Sequence, residues 1–465
     1  MNKIKHVFSV KIILAFVSLF FITFISIFCN NTHQHQSINL DKDGLISEMQ
    51  KLLDDDFNLW YPLCIDTVYG GYFSDINYKW ELKGQQNKMI VSQARHVWSA
   101  SVASIFYNDE GRFLKIAEHG FKFLRDVMWD KQYGGFYDLV KRNGEVVKED
   151  GKIIKRAYGN SFAIYGLAAY YKASGNKEAL ELAKRTFKWL EKNSYDPNNK
   201  GYFQFLTQEG KPIKESYQHY PPKDQNSSIH LLECFTELYK AWPDSLLKER
   251  LISLQHIVRD IITTNEGYMN LFFKKDWTPI LYRDSSEEKR KDNYELDHVS
   301  FGHDIETAYL LLEVNEVLGL KDDQTTDNKV KQMVDHTIEF GWDKQYGGIF
   351  DRGYYFKGET KLKIIQKTKE WWAQAEALNS LLLMSSIYPD QKDYYQKFCE
   401  QWNYIKSYLV DQKYGGWYWG GIDRVPGNKF VNKGSIWKVN YHTSRSLINC
   451  LIKLRDFKAE GDKSN

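Results

Sequence analysis

A chain of 465 residues, 43% hydrophobic and 26% charged, has the balance of a globular protein that buries a sizeable core, which excludes a disordered chain. Its formal charge of +3 is spread without a long basic block, which excludes nucleic acid as a partner. Five cysteines without C-x-x-C spacing exclude a zinc ribbon or a disulfide framework, whereas 15% aromatic residues suit either a large helical core or a surface that stacks on sugar rings.

The chain opens with Lys3, Lys5 and Lys11 ahead of an uncharged apolar run from Ile12 to Cys29. That order predicts an export segment with a short polar linker over residues 1–36, and a periplasmic or cell-surface location. Cys29, followed by Asn30 and Asn31, is where a lipid would be attached; the run is also long enough to remain as an uncleaved membrane helix. Membrane association is expected through this segment alone.

From there on a signature repeats: Asp66-Thr-Val-Tyr-Gly-Gly-Tyr-Phe, Asp130-Lys-Gln-Tyr-Gly-Gly-Phe-Tyr, Asp343-Lys-Gln-Tyr-Gly-Gly-Ile-Phe and Asp411-Gln-Lys-Tyr-Gly-Gly-Trp-Tyr. Degenerate copies at Asp196-Pro-Asn-Asn-Lys-Gly-Tyr-Phe and Asn265-Glu-Gly-Tyr bring the count to six. Successive glycines (Gly70, Gly134, Gly201, Gly267, Gly347, Gly415) lie roughly 65 residues apart, with one longer interval before Gly347. Between signatures, apolar residues such as Phe113, Ile116, Ala117, Phe121 and Leu124 recur at helical spacing. Each unit therefore predicts two helices joined at a tight Tyr-Gly-Gly turn. Six such hairpins bury their apolar faces by closing into a ring, and no terminal unit is polar enough to cap an open array. The expectation is an all-α (α/α)6 barrel filling residues 37–460 as one domain, with polar residues of the inner helices facing a funnel.

Polar residues at helix starts stand out in chain order. Arg95 lies in Gln93-Ala-Arg-His-Val-Trp98, and His230 in Asn226-Ser-Ser-Ile-His-Leu-Leu-Glu233. His303 and Glu306 share one face of Gly302-His-Asp-Ile-Glu306, as His230 and Glu233 do of theirs. Two H-x-x-E pairs raise a di-metal reading, but the order is reversed and bridging carboxylates are missing, so no metal and no cofactor are expected. Trp371-Trp-Ala-Gln-Ala-Glu376 sets Trp372 one turn from Glu376, and Trp437-Lys-Val-Asn-Tyr-His442 places His442 at the mouth of the last helix. Each residue alone is compatible with a satisfied core position. Together, three histidines, an arginine and two glutamates at one end of a closed ring make a site, in which two imidazoles can act as base and acid.

These motifs, namely Gln93-Ala-Arg95-His-Val-Trp98, Gly302-His303-Asp-Ile-Glu306, Trp371-Trp372-Ala-Gln-Ala-Glu376 and Tyr441-His442-Thr443, resemble those of the N-acylglucosamine 2-epimerase family over nearly the whole mature chain. The Trp-Trp-Ala-Gln-Ala-Glu stretch looks closest to the cellobiose and mannobiose 2-epimerases. The resemblance implies that His303 and His442 are the acid/base pair and that Arg95 and His230 hold the C1 and C2 oxygens. It implies that Glu306 and Glu376 orient the histidines and bind sugar hydroxyls, that Trp372 is a stacking platform, and that Trp371, Asn226 and Trp437 belong to the substrate contacts. One position departs from the family pattern Asn-Thr-His-Leu-His, because Ser228 stands where the first histidine would be. The implied reaction is inversion at C2 of the reducing-end sugar of a disaccharide through an enediolate, by a monomer or weak dimer. Competing readings are an N-acylglucosamine 2-epimerase or aldose–ketose isomerase, a glycoside hydrolase using Glu306 and Glu376, and a sugar-binding protein without catalysis.

Overall fold

The computed structural model describes residues 42–464 apart from 110, 321–322 and 360. The expected export segment, with Cys29, lies outside the described residues. Residues from Lys42 onward form one compact unit. Among the described residues no helix is long and apolar enough to cross a membrane.

Among the described residues, twelve long helices alternate between two layers. The outer set comprises α1 (Lys42–Trp60), α3 (Arg112–Phe123), α5 (Lys177–Asn193), α7 (Ser245–His256), α11 (Gln324–His336) and α13 (Lys392–Tyr404). The inner set comprises α2 (Ile90–Tyr107), α4 (Ala157–Ser174), α6 (Gln225–Ala241), α10 (Phe301–Leu318), α12 (Trp371–Ile387) and α14 (Tyr441–Ser464). Consecutive inner helices pack side by side, and α14 returns to pack on α2, which closes the ring. The all-α (α/α)6 toroid read from the repeat is the observed architecture. Burial separates the layers: α3 and α5 bury one stripe each, whereas α2 and α4 are buried nearly all round. Two short helices, α8 (Glu287–Asp292) and α9 (Tyr294–Asp297), occupy the longer interval before Gly347.

Each glycine signature follows an outer helix and turns the chain back toward the next inner one. Gly134 and Gly135 have φ of +70° and +72°, and a Cβ on either would meet the Trp189 indole at 2.8 Å, so the pair is required both by conformation and by close approach. Antiparallel strands then staple neighbouring units: β1 (Lys88–Met89) pairs with β2 (Leu139–Val140), β3 (Ile154–Arg156) with β4 (Phe205–Thr207), and β5 (Lys223–Asp224) with β6 (Phe272–Phe273). A three-stranded sheet of β7 (Val299–Ser300), β8 (Arg352–Tyr354) and β9 (Lys363–Gln366) serves the fourth junction.

The signature aspartates do more than shape the turn. Asp130 accepts the N–H groups of Gln132 and Tyr133 with one oxygen and pairs through the other with the buried Lys155 at 2.8 Å. Lys155 Nζ spends its remaining hydrogens on the carbonyls of Gly134 and Gln208. The pattern recurs as Lys88–Asp66, Lys223–Asp196, Lys369–Asp343 and Lys433–Asp411. In the fourth unit Thr264 and Val299 stand in place of the two partners, so neither charge is present there.

Candidate active site

The residues that meet at the axis recur on one face of the inner helices, three to four residues apart. Second positions supply Tyr158, Asn226, Gly302, Trp372 and His442; sixth positions supply Arg95, Phe162, His230, Glu306 and Glu376; ninth positions supply Trp98, Tyr165 and Glu233. One helical face repeated round a ring thus stacks the site in tiers.

Of the two main cavities at this end, one of about 290 Å³ is bounded by Ser300, His303, Trp372, Glu370, Asp351 and His298, among others. The second, of about 460 Å³, is bounded by Tyr158, Arg156, Tyr220, Trp437 and their neighbours, and Asp224, Asn226 and Phe272 border both. Arg95, His230, Glu306, Glu376 and His442 are buried, none more than 5% exposed.

His442 and His303 are held differently. His442 Nδ1 lies 2.7 Å from Glu376 Oε1 and 4.0 Å from Glu306 Oε1. His303 Nδ1 lies 2.8 Å from the Ser300 hydroxyl. Trp372 packs against both, its ring centroid 4.7 Å from that of His303 and 5.8 Å from that of His442, with its Nε1–H donating to Glu370 at 2.7 Å. Gly302 makes room for it, since a Cβ there would lie 2.6 Å from the Trp372 ring. Burial, reinforced by the neighbouring imidazoles of His230 and His298 and the guanidinium charges of Arg352 and Arg95, pushes His303 down to about 3. The same cause, with Arg95 and Arg445 nearby, holds His442 well below the ordinary imidazole value.

Beneath them lies a charge cluster centred on Arg445. Its Nη2 is 2.5 Å from Glu306 and 2.7 Å from Glu376, and its Nη1 bonds Glu233 and the Tyr441 hydroxyl. Tyr441 donates to Glu233 at 2.5 Å, and His230 Nδ1 is 2.8 Å from the other Glu233 oxygen. Burial would raise Glu233, but the Arg445 charge and the His230 hydrogen bond outweigh it and hold it low. Glu306 is pushed up to about 7 by burial and by the charge of Glu376; burial holds Glu376 at about 7 as well. Ligand atoms of Glu306, Glu376 and His442 lie within 4.8 Å of one another, a donor set that could take a cation. Arg445 already supplies a positive charge there, and its guanidinium bridges both carboxylates.

The two H-x-x-E pairs, alike in sequence, diverge in space: His230 bonds its Glu233, whereas Glu306 turns to Arg445 and leaves His303 to Ser300. Glu376 orients His442, but Glu306 orients neither catalytic candidate directly. Arg95 stacks over Phe162 and Tyr441 at 4.3 and 4.9 Å and reaches Tyr158 and the Trp437 carbonyl at 3.4 Å. Asn226 and Trp437 line the cavities, Trp437 being 47% exposed at the mouth. Trp371, expected beside the substrate, instead packs in the core 4.7 Å from Trp419 and under the Lys438 ammonium, because consecutive helical residues point about 100° apart.

Ser228, the position that departs from the family pattern, is the fourth residue of α6. Fourth residues of other inner helices (Gln93, Asn160, Asp304, Gln374) reach outward to accept the backbone N–H of Tyr72, Phe136, Met269 and Ile349 at the glycine turns. The departure therefore falls on the brace between helix and turn, off the face that carries Asn226 and His230. Reasoning from sequence passed over Arg445 and Ser300, and gave no role to Glu233, which it had paired with His230, or to Tyr441; the recurrence of axial positions along α6 is the signal that assigns Glu233 to the site.

Comparison with known proteins places the chain in one family. A cellobiose 2-epimerase of Bacteroides fragilis is 29% identical over 416 residues, covering 88% of this chain and 98% of that protein. One from Ruminococcus albus is 28% identical over 420 residues, covering 88% and 99%. The structure of the cellobiose 2-epimerase from Spirochaeta thermophila superposes with a TM-score of 0.78 at 26% identity, covering 91% of this chain and 99% of that one. Residues 71–443 match the N-acylglucosamine 2-epimerase (GlcNAc 2-epimerase) family, and the chain, an isomerase of the epimerase type, belongs to it.

Proposed function

We propose that the protein inverts C2 of the reducing-end sugar of a disaccharide, cellobiose or mannobiose. The observation that carries this reading is the pair of imidazoles, His303 and His442, both packed against the Trp372 ring. The relatives named cellobiose 2-epimerases support the disaccharide, as do two cavities that meet at Asn226 and together have room for two sugar rings.

In the open-chain aldose the C1 carbonyl acidifies the C2 hydrogen. His442, with Nδ1–H donated to Glu376, keeps the Nε2 lone pair free to take that proton. The electron pair moves onto the C1 oxygen, where Arg95 and His230 supply positive charge and a donor to the enediolate. His303 returns a proton to the opposite face, and proton return at C1 instead gives the ketose. Hydrolysis is disfavoured because Glu306 and Glu376 lie side by side on one arginine, whereas glycosidic cleavage needs carboxylates on either side of the bond.

Incubation of cellobiose and mannobiose with the protein in heavy water, followed by NMR, tests the proposal. Deuterium at C2 together with the epimeric disaccharide is the expected result. Monosaccharides without deuterium would replace this reading with hydrolysis, and a ketose without epimer would replace it with isomerisation.

A further inference from the structure

A returning proton has to come from somewhere, and the surroundings of His303 say where. Its half-buried imidazole sits among cationic neighbours that disfavour a second proton, so at neutral pH the ring is neutral. A neutral imidazole can give up its Nε2 hydrogen only if Nδ1 gains one in the same step. The Nδ1 partner is the Ser300 hydroxyl at 2.8 Å, a group able to accept or donate. Ser300 is fixed by pairing of β7 with β8 and lies on the wall of the 290 Å³ cavity, beside Asp351, Glu370 and His298. His442 differs: its Nδ1 faces the fully buried carboxylate of Glu376, which opens onto neither cavity.

We propose that Ser300 is a relay and positioning residue that acts through His303, passing a proton from cavity water to Nδ1 as Nε2 protonates C2. This rests on the epimerase reading of the same site. The C2–H bond breaks toward His442 Nε2 and its electron pair forms the enediolate. That pair then takes the Nε2 hydrogen of His303 and forms the new C2–H bond on the other face. Nδ1 takes the Ser300 hydroxyl hydrogen, and the Ser300 oxygen takes one from water in the cavity. His303 ends neutral as the Nδ1–H tautomer. One proton has entered through the cavity, and one leaves from His442 when product departs, which neutralises the hydroxide left behind. Without the relay the enediolate still forms through His442, but it is quenched less readily at C2, so more of it collapses at C1 to ketose.

The test uses Ser300→Ala and Ser300→Thr, assayed for epimer and ketose by NMR alongside the unaltered protein, with thermal melts of all three. The expected result for Ser300→Ala is at least about a tenfold loss of epimer formation in kcat, KM within about twofold and a raised ketose share. Ser300→Thr, which keeps the hydroxyl, restores both rate and partition. Ser300→Ala working at the unaltered rate would overturn the relay, and so would a loss that leaves the ketose share unchanged or that Thr does not restore. An unaltered protein that forms no epimer would overturn the relay and the epimerase reading together, whereas failure of the relay alone leaves epimer formation by the unaltered protein intact.

Discussion

The contact between His442 Nδ1 and Glu376 means different things according to where one proton sits. With Glu376 ionised, Nδ1–H donates and Nε2 carries a lone pair; with Glu376 neutral, its O–H donates and the hydrogen moves to Nε2, so that His442 cannot act as a base. Burial is the largest influence on Glu376 and, with the charge of Glu233, holds it at about 7 against the pull of Arg445. The second oxygen has no hydrogen-bond partner that would favour ionisation further. The active form is therefore lost as pH falls through about 7, and kcat/KM for epimerisation should drop by about tenfold per pH unit below it. Glu376→Gln, which cannot ionise, should lose that slope and at least about tenfold of the rate. A flat profile for the unaltered protein between about pH 5.5 and 8 would contradict the assignment. At this scale the sequence exposed what helical spacing and motif exposed: Arg95, His230, His303, His442, Glu306, Glu376 and Trp372 do converge. Arg445 was not readable, because its partners Glu233 and Glu306 lie 212 and 139 residues away and only ring closure brings them together.

Elements were readable where the pattern was local. Six glycine signatures predicted six hairpins, and the positive-φ turns stand where those glycines are. The lysines that lock the turns were not read, since each lies on the chain leading to the next inner helix, 22 to 27 residues beyond its aspartate. Their energetics can be tested against the repeat's own exception. Lys155 and the carboxylate of Asp130 are both buried, and removing one partner strands the other charge, which costs about 3–5 kcal/mol. Lys155→Met should therefore destabilise by about that amount in chemical denaturation. Asp130→Asn/Lys155→Met should destabilise less, because the amide still accepts the turn N–H groups and no charge is left stranded, much as Thr264 and Val299 coexist in the fourth unit. A loss in the double variant equal to the sum of the losses of Lys155→Met and Asp130→Asn measured singly would mean that the pair contributes no coupling.

A ring of hairpins has no physical beginning, and its first and last described helices, α1 and α14, meet. Lys42 Nζ at the start of α1 lies 5.6 Å from the Phe457 ring of α14, and Arg455 donates to Gln50 at 2.8 Å. The site itself straddles the seam: Arg95 on α2 reaches the Trp437 carbonyl just ahead of α14, and Thr443 bonds the buried Asp56 of α1 at 3.1 Å. Those contacts depend on closure and not on which peptide bond is missing. The turn between α4 and α5 is the place to cut, because Gly175 is exposed at φ +69° with nothing within 4 Å of where its Cβ would be, and Asn176 caps α5 with its own side chain. A permuted chain starting at Asn176, ending at Gly175 and joining the region near Phe457 to Lys42 by a short flexible linker should fold with the same helical circular dichroism. It should keep epimerase activity within about tenfold, since loop closure over a few residues is a small entropic change. A permutant that is helical but inactive would show instead that the α14–α1 junction must be open-ended for the site to form, and that the sixfold ring is not interchangeable with respect to where it is cut.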